Sequence, residues 1–351
     1  MCAFPWSPTG EGCAPVSAEA PPIPRFPAAV LEAFASRLLA AAGVAPDQAA
    51  SVTENLIWND AAGRHNHGFD RLPAMLERLR DGTIAGGAAM RFSDIAPTLA
   101  RLDAAGGFGQ HAGRLAIDRA VGLARAEGVG IVGVANSHFF GTGAFFVARA
   151  AAAGMIAFAF SNSYAKVAAH GGSHPVLGTN PLAFAAPRGA ADPLIVDFST
   201  ASLAGSTQRA GGEMPEGAVD EATGALKPAA GAKGFGLALM VEVLAGVLTG
   251  AGIGREVGSL YSPGTRPADS GHLFMVLDPA RWLGPEAFVA RMETLVDMVA
   301  SSGPDGAVRL PGAARAEALR MSAAQGIGLT PATLAALGHL AGAYGIDPLP
   351  A

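Results

Sequence analysis

Three short segments of the sequence combine histidine with arginine, asparagine and glycine: 64–71 ("RHNHGFDR"), 136–143 ("NSHFFGTG") and 169–181 ("AHGGSHPVLGTNP"). In the first, Arg71 follows His67 by four residues, so both side chains reach one side of a helical or tight turn. Histidine can donate a proton near neutral pH, and arginine can hold a carboxylate through two parallel hydrogen bonds. The segment predicts acid–base chemistry on a small carboxylate, although a solvated helix start with a surface arginine fits the same residues equally well.

The other two segments carry weaker signals. His138 follows a β-branched stretch, and sites in α/β proteins are commonly built where strands end. A structural histidine that satisfies backbone groups is the alternative there. His170 and His174 have a spacing that suits a metal only on a helix, and the two glycines between them disfavour a helix. We therefore predict no metal site.

Three glycines, Gly128, Gly130 and Gly133, match the spacing G-x-G-x-x-G that is associated with dinucleotide phosphates. That fingerprint requires a strand before the glycines and a helix that opens at the last of them. Here the order is reversed, because the helical "IDRAVGLARAEG" precedes and the β-branched "VGIVGVAN" carries the glycines. The pattern predicts a helix end and a strand start, not a Rossmann loop.

The surrounding sequence predicts the elements that would position these residues. Apolar spacing of three and four residues indicates a helical hairpin over 28–62, with Asp47 as a cap, and a further helix over 72–82. Residues 91–103 alternate weakly, which favours one or two short strands. A strand, helix and strand then follow over 129–163, and the later strands are "PLAFAAP", "PLIVDFS" and "HLFMVLDP", with helices to the end.

The domain organisation follows from composition and order. Residues 1–25 are rich in proline and predict a poorly ordered tail. Residues 26–125, completed by 300–351, predict a helical domain, and 126–299 a cofactor-binding domain. Both cysteines, Cys2 and Cys13, fall in the tail, and no basic residue precedes Arg25 to begin a secretory signal. The expected compartment is therefore the cytoplasm.

Charge and hydropathy limit the classes of partner. The 351 residues carry 24 Lys+Arg against 29 Asp+Glu with no basic cluster, which argues against nucleic acid and anionic membranes and favours a small molecule. The longest apolar run, 234–254, approaches the length of a membrane span, but Glu242 lies in its middle. We predict that this run packs inside a soluble core and that the chain has no membrane segment.

Seven segments taken together resemble the non-Rossmann malate/L-lactate dehydrogenase family. They are "NHGFDRLPAMLERLRDGTI", "GGFGQHAGRLAIDRA", "GVGIVGVANSHFFG", "GMIAFAFSNS", "HGGSHPVLGTNPLAFAAP", "PLIVDFSTAS" and "AKGFGLALMVEVLAGVLTGA", in that order along most of the chain after Phe26. Within the family, "AHGG" and "RLPGAAR" look most like the branch that reduces Δ1-piperideine-2-carboxylate and Δ1-pyrroline-2-carboxylate. The resemblance implies an α/β, mixed-sheet, NAD(P)-binding fold distinct from the Rossmann fold, with an added helical domain, and a homodimer with its active site near the subunit contact.

The resemblance also implies roles for particular residues. His67 would donate a proton, beside Asn66 and with His138 as a further catalytic candidate, and Arg71 would hold the substrate carboxylate. Thr179 and His170 would contact the substrate. The expected cofactor is NADPH or NADH, with a binding surface made of His138, Phe139, Phe140, Gly141, Thr142, Ser161, Asp197, Phe198, Ser199, Lys233 and Gly234.

Two departures from the family pattern keep alternatives open. Asn66 stands where relatives usually have serine, and Phe139 stands where they usually have histidine. The loops around 204–217 and 223–234 also look short. The leading hypothesis is hydride transfer to C2 of a cyclic imino acid or a 2-oxo acid. The alternatives are a 2-hydroxy-acid dehydrogenase of the malate or lactate kind and a diverged, non-catalytic dimer.

Overall fold

The computed structural model describes residues 23–203, 215–261, 266–304 and 308–350. Most of the predicted tail, and most of the first loop predicted to be short, lie outside these residues. The helices are α1 (Ala28–Ala41), α2 (Pro46–Ala61), α3 (Leu72–Arg80), α4 (Gly109–Glu127), α5 (Gly143–Ala152), α6 (Ala232–Glu242), α7 (Ala280–Leu283), α8 (Pro285–Ala300), α9 (Ala313–Gln325) and α10 (Pro331–Tyr344). Two 3₁₀ turns, His65–His67 and Phe69–Arg71, lead into α3, a π turn (Val243–Val247) extends α6, and a third 3₁₀ turn spans Gly254–Glu256.

The predicted helical hairpin is confirmed as α1 and α2, but its predicted cap is wrong. The residue before α2 is Ala45, Pro46 opens the helix, and Asp47 lies inside its first turn. Proline suits this position because the first helical N–H has no intrahelical partner. The helix predicted over 72–82 is α3, which has proline in its first turn and Gly82 just after its end.

The central layer is a seven-stranded mixed sheet, which confirms the predicted fold class. The described residues form eleven strands: β1 (Arg25–Phe26), β2 (Arg91–Ala96), β3 (Leu99–Asp103), β4 (Val129–Ser137), β5 (Ile156–Ser161), β6 (Val167–Ala168), β7 (Pro175–Leu177), β8 (Leu182–Arg188), β9 (Ala191–Phe198), β10 (Ser270–Leu277) and β11 (Ile327–Gly328). β1 pairs with β11 and β6 with β7 in two small sheets, and the other seven strands form the central sheet. The sheet order is β2-β3-β4-β10-β5-β8-β9, and only β3 and β4 pair in parallel. The late strand β10 therefore separates β4 from β5.

The glycine pattern at the start of β4 has a structural role. Gly128 ends α4 in the left-handed conformation with φ of 89°. A Cβ on Gly130 would overlap the carbonyl oxygen of Ala120, so this glycine lets α4 approach β4 closely. The segment is a helix end followed by a strand, as predicted.

Most of the buried apolar residues that the structure describes belong to two hydrophobic clusters, and the segment that carries His67 contributes Phe69 to the second of them. One joins the sheet to α4 and α5, with Phe146 and Phe274 fully buried. The other joins α1, α2 and α3 to β11 and α10. The division into domains remains a prediction. Residues 91–125, which it assigns to the helical domain, contribute β2 and β3 to the sheet and most of α4 to the helices that pack on the sheet.

The long apolar run is buried on one face only. Val241 and Ala245 pack against Phe160 and Leu273 of the sheet. The opposite face exposes Val247 and Leu248, which are 59% and 64% accessible, so the expectation of burial within a core is wrong for this face. In the part of the chain that the structure describes, no helix has the length and hydropathy needed to cross a bilayer.

Candidate functional site

A cleft of about 440 Å³ lies between the two clusters and collects most of the predicted site residues. This volume is within the usual range for small-molecule sites. The predicted residues that line it are Asn66, His67, Arg71, His138, Phe139, Phe140, Gly141, Thr142, Ser161, Thr179, Asp197, Phe198 and Ser199. His170 and Lys233 are exposed and Gly234 is buried, and none of these three lines the described cleft.

The segment that carries His67 and Arg71 is fixed by one buried carboxylate. Asp60 accepts hydrogen bonds from the Phe69 N–H and from His65 Nδ1, each at 2.7 Å. A Cβ on Gly68 would overlap this carboxylate, so only glycine fits between the two 3₁₀ turns. Burial raises the pKa of Asp60, whereas the hydrogen bond to Asp60 raises the pKa of His65. The ion pair therefore holds the loop in one conformation.

The hydrogen bond between Asn66 and His67 selects one tautomer of the imidazole. His67 Nδ1 lies 3.0 Å from Asn66 Oδ1, an oxygen that can only accept. Nδ1 therefore carries the hydrogen, and Nε2 is the nitrogen that is able to accept a proton. The ring also stacks on Phe139, with centroids 6.0 Å apart. Asn66 thus orients the histidine even though its side chain differs from the serine of the family pattern.

Arg71 is 8% exposed, and its guanidinium carbon lies 5.4 Å from the centre of the Tyr261 ring. Stacking on an aromatic face fixes the plane of a guanidinium while leaving its edge able to form two hydrogen bonds. Because His67 and Arg71 lie on consecutive 3₁₀ turns and both line the cleft, a side chain able to donate a proton and a side chain able to bind a carboxylate share one short segment.

His138 follows the end of β4 and lines the cleft, but its surroundings favour the uncharged form of its ring. It is 3% exposed, and its Nδ1 accepts the N–H of Phe139 at 2.9 Å. Burial lowers the pKa of His138 to about 4, helped by the nearby Arg78 charge. The ring is therefore neutral near pH 7 and carries its hydrogen on Nε2.

A second neutral histidine, His272, lies under the cleft and was missed by sequence reasoning. Its Nδ1 is 2.8 Å from Ser161 Oγ and its Nε2 is 2.8 Å from Ser137 Oγ, and burial lowers its pKa to about 3. Ser161 donates its only hydroxyl hydrogen to the carbonyl of Asn162, so it accepts from His272. The sole signal in the sequence was a histidine at the start of an apolar strand, which is also typical of an ordinary core position.

The loop with Thr179 is supported by α6. Glu242, on the buried face of that helix, accepts hydrogen bonds from Asn180 Nδ2 at 2.6 Å and from the Gly254 N–H at 2.7 Å. Asn162, next to the cleft residue Ser161, also donates to Glu242. A charge that the sequence placed in the middle of an apolar helix therefore organises two loops of the cleft.

Asp197, which also lines the cleft, accepts the N–H of Ala144 in the first turn of α5 at 3.1 Å. Arg315 of α9 lies 3.6 Å from the same carboxylate oxygen. Burial raises the pKa of Asp197, against the lowering effects of Arg315, the Ala144 N–H and Arg64. Arg315 stands in the "RLPGAAR" segment, but no pattern in the sequence indicated that it reaches β9.

The charges of the cleft fit an anionic dinucleotide. Among the described residues that line it, four are cationic (Arg64, Arg71, Lys166 and Arg315), and Asp197 is the single carboxylate. The described residues contain no group of three or more side chains that could hold a metal ion. The fold and this cleft together define an α/β protein with a cationic small-molecule cleft that contains the half-buried imidazole of His67.

Comparison of this chain with known proteins identifies its family. The profile of the family described as malate/L-lactate dehydrogenase matches residues 26–338. The (2R)-3-sulfolactate dehydrogenase (NADP(+)) of Chromohalobacter salexigens is 35% identical over 86% of this chain and 94% of its own. The Delta(1)-pyrroline-2-carboxylate/Delta(1)-piperideine-2-carboxylate reductase of Pseudomonas putida is 33% identical, over 91% and 97%. The structure of malate dehydrogenase from Pyrococcus horikoshii OT3 superposes with a TM-score of 0.85 at 27% identity, covering 93% and 97%.

The chain belongs to the malate/L-lactate dehydrogenase family. Three predictions made from the sequence are confirmed: the family, an NAD(P)-dependent oxidoreductase as the class of enzyme, and NAD(P)H as the cofactor.

The two neutral histidines predict loss of stability in acid. An unfolded histidine titrates near 6.5, whereas His138 and His272 stay neutral in the folded protein down to about 4 and about 3. Below pH 6.5 the unfolded chain therefore binds protons that the folded chain does not, and stability falls as pH falls. We expect about 2 kcal/mol less unfolding free energy per histidine at pH 5 than at pH 7, measured by urea denaturation.

Substitution isolates this effect from the carboxyl groups, some of which act in the opposite direction. His138→Asn retains an acceptor for the Phe139 N–H. Between pH 7 and pH 5 this variant should lose less unfolding free energy than the wild type, and the difference should be the contribution of one histidine, about 2 kcal/mol. His174→Asn, at an exposed position, should keep the wild-type difference. If the unfolding free energy of His138→Asn depended on pH in the same way as that of the wild type does, the conclusion that His138 is neutral in the folded protein would be contradicted.

Proposed function

We propose that this protein transfers hydride from NAD(P)H to C2 of a cyclic imino acid or a 2-oxo acid. The observation that carries the proposal is the placement of His67 and Arg71 on one 3₁₀ segment, fixed by Asp60, inside a cleft with a cationic surplus. The relatives named as sulfolactate dehydrogenase and as pyrroline- and piperideine-2-carboxylate reductase support it, since both kinds of substrate carry a carboxylate next to the reacting carbon.

Arg71 orients the substrate in this proposal. Its guanidinium, held over Tyr261, receives the carboxylate with two hydrogen bonds and so fixes the direction of C2. When bound, a reduced nicotinamide supplies the hydride. His67, protonated on Nε2, gives a proton to the oxygen of a 2-oxo acid as the hydroxyl forms, while Nδ1 stays bonded to Asn66. A cyclic iminium arrives already protonated and becomes a neutral amine without this step.

The alternatives are a 2-hydroxy-acid dehydrogenase of the malate or lactate kind and a family member that has lost catalysis. One panel separates them: oxidation of NADH and NADPH with pyruvate, oxaloacetate and the two cyclic imines. Turnover of the imines supports the proposal. Turnover of oxaloacetate or pyruvate without the imines keeps hydride transfer to C2 and narrows the substrate to the malate or lactate kind, whereas no turnover at all by a folded protein that binds the cofactor favours loss of catalysis.

Arg71→Lys tests the carboxylate-binding role. Lysine keeps the charge but loses the planar fork, so kcat/KM should fall by roughly 10²-fold, about 2.7 kcal/mol, shared between kcat and KM. Arg80→Lys, at an exposed position at the end of α3, is the matched control and should have wild-type kinetics. Wild-type kinetics for Arg71→Lys would show that the carboxylate binds elsewhere.

His67→Ala tests the proton donor by its dependence on substrate. For 2-oxo acids kcat should fall by about 10²- to 10³-fold, whereas for a cyclic imine it should fall by less than about 10-fold. Steady-state assays with both substrate types measure the difference, with His174→Ala as the exposed control. Equal losses for both types would mean that His67 positions the substrate and does not chiefly donate a proton.

We also propose a homodimer whose contact includes the outer face of α6 and its π turn. The exposed side chains there are Leu237, Leu239, Met240, Val243, Val247 and Leu248. The only charge between residues 234 and 254 is Glu242, which is buried, so this surface can meet its own copy without repulsion between like charges. The inner face of the same helix supports the cleft, which favours an active site near the contact. The proposed compartment is the cytoplasm, because Cys2 and Cys13 both precede residue 26 and no disulfide can therefore join the elements of the core.

Val247→Glu should convert the protein from twice the 35.1 kDa chain mass to one chain mass at micromolar concentration, measured by light scattering. In a symmetric contact the new glutamate of each copy would meet either the same glutamate of the other copy or an apolar surface, and both arrangements disfavour association. Met298→Glu, on the exposed face of α8, is the control and should leave the dimer intact. A wild-type mass of one chain would disprove the dimer, and an unchanged dimer in Val247→Glu would disprove this contact.

A further inference from the structure

His65 belongs to the segment that carries the proposed proton donor, but it does not line the cleft. Arg64 and His67 on either side of it are lining residues, and the charge of Arg64 acts on Asp197 there. The imidazole of His65 is bonded instead to α2, where its Nδ1–H donates to Asp60 Oδ1 at 2.7 Å. Any effect of His65 on the cleft must therefore pass through the position of its neighbours.

Asp60 attaches this segment to α2 at two points, one of which can lose a proton. Its Oδ2 accepts the Phe69 N–H at 2.7 Å, and its Oδ1 accepts from His65. His67 lies between the two points, and Arg71 follows the second by two residues. The side chain of Asp60 is 1% exposed, whereas that of His65 is 39% exposed. Solvent can therefore reach and deprotonate the cation that faces a buried carboxylate.

The charges around His65 favour its protonated form. The hydrogen bond to Asp60 raises the pKa of His65 above its ordinary value of 6.5 against the opposite effect of burial, and the charges of Asp60 on α2 and Asp70 on the second 3₁₀ turn add to the increase. The other helices here contribute neutral groups. Thr333 of α10 donates its hydroxyl to Asp70, and Ser322 of α9 donates to the last carbonyl of α2.

Loss of this proton leaves the buried carboxylate with neutral donors only. Neutral imidazole can still donate from Nδ1, but it no longer balances the charge of Asp60. Burial of an ionised carboxylate without a counter-ion is unfavourable, so conformations in which the segment separates from α2 gain population. Because the pKa of His65 is raised by folding, the stabilisation from this pair is complete below pH 6.5 and is lost as the pH rises through the raised value.

We propose that His65 is a positioning residue whose proton keeps the segment with His67 and Arg71 attached to α2. Raising the pH then releases the segment, and a carboxylate bound by Arg71 loses affinity although the groups that contact it are unchanged. The attachment itself does not depend on the reaction, whereas its effect on affinity rests on the proposed function.

Two measurements made at several pH values test this role. The first is amide hydrogen exchange of residues 62–71, corrected for the intrinsic exchange rate. The second is the affinity for pyrrole-2-carboxylate, an aromatic carboxylate that does not accept hydride, measured by calorimetry in the presence of NADPH. His65→Gln removes the charge and keeps a hydrogen-bond donor, and His65→Lys keeps the charge at high pH. His174→Gln, at an exposed position, is the matched control.

Between about pH 6 and about pH 9, we expect the wild type and His174→Gln to lose about 10-fold in exchange protection of this segment and about 5- to 10-fold in affinity. His65→Gln should have the lower protection and affinity at both pH values, and His65→Lys the higher at both. His67 titrates in all four proteins, so comparison among them removes its contribution.

Two results would overturn the proposal. One is protection that does not change with pH in the wild type, or that changes equally in His65→Gln. The other is an affinity that depends on pH while protection stays constant, which would show that His65 acts through its charge and not through position. If His65→Gln does not fold, the wild type and His65→Lys decide, because only the wild type should lose protection. If exchange behaves as expected but no carboxylate binds, the proposed role of Arg71 is refuted and this inference stands.

Discussion

The chemistry of the cleft depends on a buried carboxylate that binds backbone and side chain at once. Asp60 lies at the end of α2 and accepts from His65 and from the Phe69 N–H, on either side of Gly68. Because this carboxylate fills the space of a Cβ at Gly68, the two 3₁₀ turns have little freedom to move relative to α2. His67 and Arg71 take their positions from this contact, so the geometry of the proposed acid and of the proposed carboxylate-binding group depends on the helical cluster that contains α2.

The other wall of the cleft is organised by polar groups that are buried but neutral or fully bonded. His272 bridges serines of β4 and β5 from the strand between them, and His138 gives its lone pair to the backbone of its own loop. Burial keeps both rings uncharged. His67 therefore lines the cleft in a half-exposed position, whereas His138 in the lining and His272 beneath it carry no charge, so the proposed proton donor is distinct from the two structural histidines.

Helix α6 shows how one element serves two surfaces. Its inner side brings Glu242 to Asn162, Asn180 and Gly254, and these contacts fix the loops on either side of Thr179. Its outer side is apolar and accessible. In the proposed dimer a covering subunit on the outer side would contact the helix that supports the loop with Thr179, so the dimer contact and the cleft would be connected through a single helix.

Local physical rules determined much of this protein from sequence alone. The 3.6-residue period of α1 and α2, the reversed order of elements around Gly128 and the spacing of His67 and Arg71 are all short-range features, and motif resemblance fixed the family. Tertiary structure decided what depends on distant residues. The insertion of β10 between β4 and β5, which brings His272 beneath Ser161, joins residues more than a hundred positions apart. The approach of Arg315 to Asp197 and the exposure of the outer face of α6 likewise depend on packing, because periodicity shows that a side chain is apolar or charged but not which surface will meet it.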